Sequence, residues 1–108
     1  MEVKFESYDT KHFDLDDKWI FEVTKITFLK GNLNNFNLNL YINADIVLPI
    51  NRVGTHSWSF NIPLYLPYKI NLSEFFEPFG YSQIEIREFK LKNMSDCEAI
   101  IGINLSKN

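Results

Sequence analysis

The chain has little of what defines several common classes of protein. Its 108 residues include one cysteine, Cys97, so no disulfide can form within the chain, and a reducing compartment is the simpler expectation. No apolar run approaches the length of a membrane span, and the acidic first twenty residues do not resemble a signal peptide. We therefore expect a cytoplasmic protein that does not contact a membrane.

Motifs for catalysis and metal binding are also missing. The sequence contains no Cys-x-x-Cys, His-x-His, glycine-rich phosphate loop or Gly-x-Ser-x-Gly elbow. Residues 14–17 begin like a calcium loop, but Trp19 stands where that loop needs glycine and Lys25 where it needs glutamate. A ribonuclease-like pair of histidines is disfavoured, because His12 lies in a polar loop and His56 is expected to be partly buried. We expect no enzymatic activity, no cofactor and no metal.

Composition indicates one folded domain spanning residues 1–108. Hydrophobic residues make up 45% of the chain and aromatic residues 16%, enough for a single core. Acids outnumber bases by 14 to 11, and the net charge of −3 disfavours nucleic acid as a partner. Residues 31–73 carry only Asp45, Arg52 and Lys69 as charged side chains. This nearly uncharged middle is typical of central strands that are covered on much of both faces.

Residues 33–48 show the clearest pattern in the chain. Apolar side chains occupy the even positions from Phe36 to Leu48, and the odd positions are mostly asparagine. A period of two predicts one long strand that ends at Pro49 and buries its even-numbered face. The sequence leaves open whether the asparagine-rich face is covered.

The other segments are shorter but follow the same period. Strands are predicted around 3–5, 19–28, 56–62, 84–91 and 97–105, with a polar loop at 9–17. Shifts of parity predict bulges near Thr24 and Arg87, and a three-residue Gly31-Asn32-Leu33 turn would join two strands as a hairpin.

One short helix is predicted near residues 73–78. Ser73 would cap it, and Pro78 and Gly80 would end it. With six to eight strands and so little helix, the chain is predicted to be an all-β antiparallel sandwich or flattened barrel. An α+β fold is the alternative if the helix is longer and covers the asparagine-rich face.

Two stretches are candidates for a binding surface. The loop containing Asp14, Asp16 and Asp17 is acidic and is flanked by aromatic side chains. Residues 65–81 hold six aromatics, more than a short cap easily buries. Together they favour a protein that binds another protein.

The pattern resembles small immunity proteins of bacterial contact-dependent growth inhibition and related polymorphic toxin systems. The resemblance lies in Lys-Trp-Ile-Phe-Glu-Val-Thr-Lys-Ile-Thr-Phe at 18–28, a polar turn, the alternation up to Leu48-Pro49, and Phe-Gly-Tyr-Ser-Gln-Ile-Glu-Ile at 79–86. It implies an antidote that binds one cognate toxin domain, often a basic nuclease, and blocks its active site or substrate surface.

Charge and position then give the candidate partner-binding residues. Carboxylates would stand in for substrate phosphates, and aromatic anchors would slow dissociation. A monomer or weak dimer is expected. The alternatives are a phage-encoded inhibitor of a bacterial nuclease or defence complex, and a β-barrel that binds an apolar ligand. The candidates are Asp14, Asp16, Asp17, Trp19, Tyr68, Glu74, Phe76 and Glu77.

Overall fold

The computed structural model describes residues 1–47, 53–79 and 83–107, and these form two antiparallel four-stranded sheets. The first sheet has the order β1-β8-β3-β6 and the second the order β2-β7-β4-β5. The predicted all-β sandwich is confirmed. The strands are β1 (Glu2–Phe5), β2 (Thr10–His12), β3 (Ile20–Lys30), β4 (Leu38–Val47), β5 (Val53–Asn61), β6 (Tyr68–Asn71), β7 (Gln83–Asn93) and β8 (Glu98–Ser106); α1 (Leu72–Phe76) is followed by a 3₁₀ turn, Glu77–Phe79.

The long alternating segment forms β4, which lies in the middle of the second sheet. Its even-numbered side chains from Leu38 to Ile46 are buried, as the period of two predicted. The strand begins later than expected, because a 3₁₀ turn occupies Leu33–Asn35. The predicted end at Leu48 and Pro49 lies outside the described residues.

The asparagine-rich face of β4 forms part of the outer surface of this sheet. Its side chains are half-buried among those of the neighbouring strands. Asn43, for example, donates a side-chain hydrogen bond to Oε1 of Glu88 on β7 at 3.2 Å. The face is therefore bordered by polar side chains of the neighbouring strands.

Both predicted bulges are present. The pairing of β3 with β8 shifts register between Val23 and Lys25. In the pairing of β4 with β7, Asn43 faces Glu88 but Ala44 faces Ile86, which leaves Arg87 as the extra residue. A change of parity within an apolar strand needs one extra residue, so sequence alone located these two irregularities.

The predicted hairpin between β3 and β4 is wrong. Gly31 does adopt a positive φ of 85°, as expected for the turn. The chain then crosses to the other sheet, so β3 pairs with β6 and β8 whereas β4 pairs with β5 and β7. Alternation shows which face of a strand is buried. Because the inner faces of both sheets line the same core, alternation does not show to which sheet a strand belongs.

Two smaller predictions also need correction. The expected loop at 9–17 contains β2, a three-residue strand that pairs with Lys90–Lys92 of β7. The helix is capped by Asn71 and not by Ser73, because the Asn71 side chain accepts a hydrogen bond from the Ser73 backbone N–H at 3.0 Å. A polar strand of three residues has too little alternation to be recognised in a sequence.

Candidate functional site

A groove of about 790 Å³ lies between the acidic loop and the edge of β7. It exists because β2 covers only the far end of β7. The Phe13 N–H donates to the Phe89 carbonyl at 2.8 Å, which extends the ladder by one residue. The chain then turns away, and residues 13–19 form one wall of the groove while Ile84–Phe89 form the other.

The acidic loop is held by its own backbone. Leu15 is 7% exposed and anchors the loop in the core. Its carbonyl accepts a hydrogen bond from the Lys18 N–H at 2.8 Å. Asp14 Oδ1 accepts from the N–H of Asp16, which has a positive φ of 56°. An aspartate tolerates this left-handed conformation, so the turn presents its carboxylates to solvent.

Not all the loop carboxylates are equivalent. Asp14 and Asp16 are exposed and border the groove. Asp17 is also exposed, but it forms an ion pair with Lys107 at 2.8 Å. Because that pair is largely solvent-exposed, it contributes little to stability and leaves Asp17 accessible.

The groove combines negative charge with apolar surface. Two cations, Lys18 and Arg87, line it beside four carboxylates, and Arg87 is already engaged by Asp45 at 2.6 Å and Glu85 at 3.4 Å. Apolar side chains complete its lining. Such a surface complements a basic segment with an apolar part. The carboxylates are Asp14, Asp16, Glu85 and Glu88, and the apolar residues include Phe13, Trp19, Ile84 and Ile86.

Glu88 lies at the junction of the groove and the outer sheet face. Lys90 contacts it at 2.7 Å, and His12 Nε2 lies 3.9 Å away. The hydrogen bond from Lys90, followed by the charges of Lys90 and His12, lowers the pKa of Glu88 despite some desolvation. The carboxylate is therefore kept ionised, and Lys90 is its ion-pair partner.

The aromatic candidates lie in a second region around α1. Tyr68 and Glu74 border a shallower groove of about 490 Å³ together with Phe60 and Phe75. Burial is the main cause that raises the pKa of Tyr68, so the phenol is neutral at physiological pH. Glu77 is exposed on the following turn.

Phe76 is a correction to the proposed contact set. Its side chain is 2% exposed, and its ring lies 5.3 Å from that of Trp58 and 5.0 Å from that of Phe75. It therefore packs α1 onto the inner face of β5 and is not available to a partner. Sequence spacing could not distinguish it from Phe75, which is half-buried.

Trp19 is the candidate that links the two regions. It lines the groove beside the acidic loop, and its carbonyl accepts a hydrogen bond from the Leu72 N–H at the start of α1, at 2.8 Å. The remaining candidates divide into two groups: Asp14, Asp16 and Asp17 lie in the acidic loop, and Tyr68, Glu74 and Glu77 lie around α1. Their two grooves have no residue in common. Sequence reasoning missed Glu85 and Glu88, which lie three residues apart on either side of the β7 bulge and gave no local signal of a site.

The two histidines are not placed for joint catalysis. His12 lies on β2 and His56 on β5, at opposite edges of the second sheet. Three strand spacings separate them, about 14 Å at ~4.8 Å per spacing. His56 is also exposed, which corrects the expectation of partial burial. Its ring stacks on that of Trp58 with centroids 6.0 Å apart, at the margin of the core.

Residues 1–47, 53–79 and 83–107 contain neither a cluster of metal ligands nor a helix that could span a membrane. In these ranges no group of three or more His, Cys, Asp or Glu side chains could hold a metal ion. No helix in the same ranges has the length and apolar character needed to cross a bilayer.

Comparison with protein-family models, with curated proteins and with solved structures gives no match. The site is therefore defined by its own geometry alone.

Proposed function

We propose that this chain is an immunity protein that binds and neutralises a cognate bacterial toxin domain in the cytoplasm. The observation that carries the proposal is the groove between the acidic loop and β7, where three exposed carboxylates and the half-buried Glu88 surround an apolar lining. A nuclease domain that binds nucleic acid presents basic side chains at its substrate surface. Carboxylates in the groove would compete for those side chains, and Trp19 would supply an apolar anchor.

The interior supports this proposal over the apolar-ligand alternative. Among the described residues, the Phe21 and Phe89 rings lie 4.9 Å apart across the core, so side chains occupy the space between the sheets there. Both strands that carry these rings bury them completely or nearly so. A bound apolar ligand would have to displace close-packed side chains, at a high cost in free energy.

The proposal is tested by growth rescue. The domain encoded directly upstream of this gene is expressed in a bacterial host, with and without this chain, and growth is followed. We expect the upstream domain to arrest growth and co-expression to restore it. Arrest that persists when both proteins are soluble and folded would overturn the proposal.

The groove is tested in the same system by removing charge without changing shape. Asp14→Asn combined with Asp16→Asn keeps the Asp14 oxygen that accepts from the Asp16 N–H, and asparagine tolerates the positive φ at residue 16. We expect affinity for the toxin domain to fall at least about tenfold, or ~1.4 kcal/mol, chiefly through slower association. Glu2→Gln with Glu6→Gln removes the same charge from exposed positions in and just after β1, and should leave binding unchanged. Equal loss in both variants would show that only net charge matters.

A further inference from the structure

Four strands end the two sheets, and they differ in how their outer edges are protected. β1 and β6 have four residues each, and β2 has three. β5 has nine residues, and among the described strands it pairs only with β4. A long edge strand exposes a row of backbone donors and acceptors that another strand can pair with, and natural proteins usually block such edges.

Two further long stretches of edge lie beyond these short strands, and both are blocked; β8 also extends past β1, but only by the three residues up to Ser106. β3 extends past β6 from Thr24 to Lys30, but it carries two lysines and two register shifts. β7 extends past β2 from Gln83 to Glu88, but a bulge at Arg87 interrupts it and charged side chains flank it. Charges and bulges are the usual means of preventing edge pairing.

Within the part of the chain that the structure describes, β5 has none of these protections. Its sequence Val-Gly-Thr-His-Ser-Trp-Ser-Phe-Asn contains no Asp, Glu, Lys, Arg or Pro. All nine residues pair with β4 in one unbroken register, without a bulge. The strand is therefore regular along its whole length and lacks the bulge that would hinder edge pairing.

The hydrogen bonding next to β5 shows which of its backbone groups point outward. The Ile62 N–H donates to the Leu38 carbonyl at 2.8 Å, so this pair is of the hydrogen-bonded type. Hydrogen-bonded and non-hydrogen-bonded pairs alternate along an antiparallel ladder. The backbone N–H and C=O groups of even-numbered β5 residues therefore bond to β4, and those of odd-numbered residues point away from it. The outward residues are Val53, Thr55, Ser57, Ser59 and Asn61.

We propose that the β5 edge pairs with the β5 edge of a second copy of this chain, antiparallel about a two-fold axis at Ser57. This register places Thr55 of one copy opposite Ser59 of the other, and Val53 opposite Asn61. Each of these outward residues donates its N–H and accepts through its carbonyl, so the two edges match without a gap. The β2-β7-β4-β5 sheets of the two copies then join into one continuous eight-stranded sheet.

The composition of β5 favours a second copy over a foreign strand. A two-fold axis brings identical segments together, so any charge near its centre would face a like charge. Here the centre is a serine, flanked on the same face by hydroxyl side chains at Thr55 and Ser59. On the other face His56 of one copy meets Trp58 of the second, which adds an aromatic pair.

Introducing a charge at Ser57, on the two-fold axis, tests this pairing, and sedimentation measures the result. Wild-type chain should show a concentration-dependent rise to twice the monomer mass. Ser57→Lys and Ser57→Glu should each be monomeric, because like charges face each other across the axis, whereas an equal mixture of the two should regain the dimer. Thr27→Lys, an exposed change on β3 in the other sheet, is the matched control and should dimerise like wild type.

Amide hydrogen exchange gives a site-specific readout. The Ser57 and Thr55 amides should exchange fast at low concentration and become protected as the dimer forms. A monomer at every attainable concentration overturns the proposal, and so does a dimer that survives both Ser57 variants. Variants that are folded and monomeric but do not associate when mixed would overturn the two-fold register.

Discussion

Arg87 Nε donates a hydrogen bond to Asp45 Oδ2 at 2.6 Å, across the pair of strands that the bulge interrupts. The bulge leaves no β4 residue directly opposite Arg87, and the Arg87 side chain adds a connection to that strand. The other Asp45 oxygen accepts from the Thr55 hydroxyl at 2.6 Å. One carboxylate thus ties β5, β4 and β7 together on the outer face of the sheet.

Stability should depend on the ionisation of Asp45. The hydrogen bonds from Thr55 and Arg87 lower its folded-state pKa below the ordinary 3.8. The contribution is therefore complete above about 3.8, the pKa in the unfolded chain, and is lost as pH falls through the lower folded value. We expect Asp45→Asn to be less stable than wild type at pH 7, with a gap that narrows in acid. Urea denaturation across this range measures it, with Asp96→Asn reporting the effect of one lost charge. A gap that stays constant with pH would contradict the assignment.

Substitution of Asn93 should reduce the stability of the fold more than substitution of an exposed polar residue. It is completely buried, and its amide nitrogen donates to the carbonyls of Glu6 at 3.0 Å and Cys97 at 2.8 Å. Its oxygen accepts from the backbone and the hydroxyl of Ser95. Asn93→Ala leaves several buried groups unpaired and should cost about 3 kcal/mol or more. Urea denaturation measures the loss, and Asn104→Ala, on an exposed side chain, should stay within about 0.5 kcal/mol of wild type.

Gly31 and Cys97 should show coupled effects on stability. A Cβ at Gly31 would stand 2.5 Å from Cys97 Sγ, and φ is 85° there. Gly31→Ala should therefore be destabilising through both contact and backbone strain, with the strain costing about 1–3 kcal/mol. Cys97→Ala removes the sulfur but not the strain. The double variant should be more stable than the sum of the two single losses by about 1 kcal/mol. Additive losses in thermal or urea unfolding would show that the contact is relieved by movement.

The positions of strands and bulges could be predicted from the sequence, but the pairing of β3 and β4 could not. The alternation in β4 and the parity shifts at Thr24 and Arg87 are local signals, and the structure has them where they were predicted. The β3–β4 hairpin was wrong because both sheets bury the same kind of face, so alternation cannot choose between them. Asn93 was missed as a structural residue because asparagine next to a turn is ordinarily exposed.

For the candidate site too, only the residues that are close together in sequence could be predicted. The acidic loop was recognised in the sequence, because its carboxylates are close together along the chain. Glu85 and Glu88 were not, since they reach the loop only where β7 extends past β2. Phe75 and Phe76 are adjacent in sequence, yet one is half-buried and the other belongs to the core.

By itself, the sequence determined that this chain is an all-β domain with buried alternating strands, because side chains alternate between the two faces of a strand wherever that strand pairs. The tertiary structure decided which strands pair, which carboxylates share a groove, and that β5 is the longest of the edge strands among the described residues. These properties depend on contacts between residues far apart in the chain, and no local pattern of side chains specifies them.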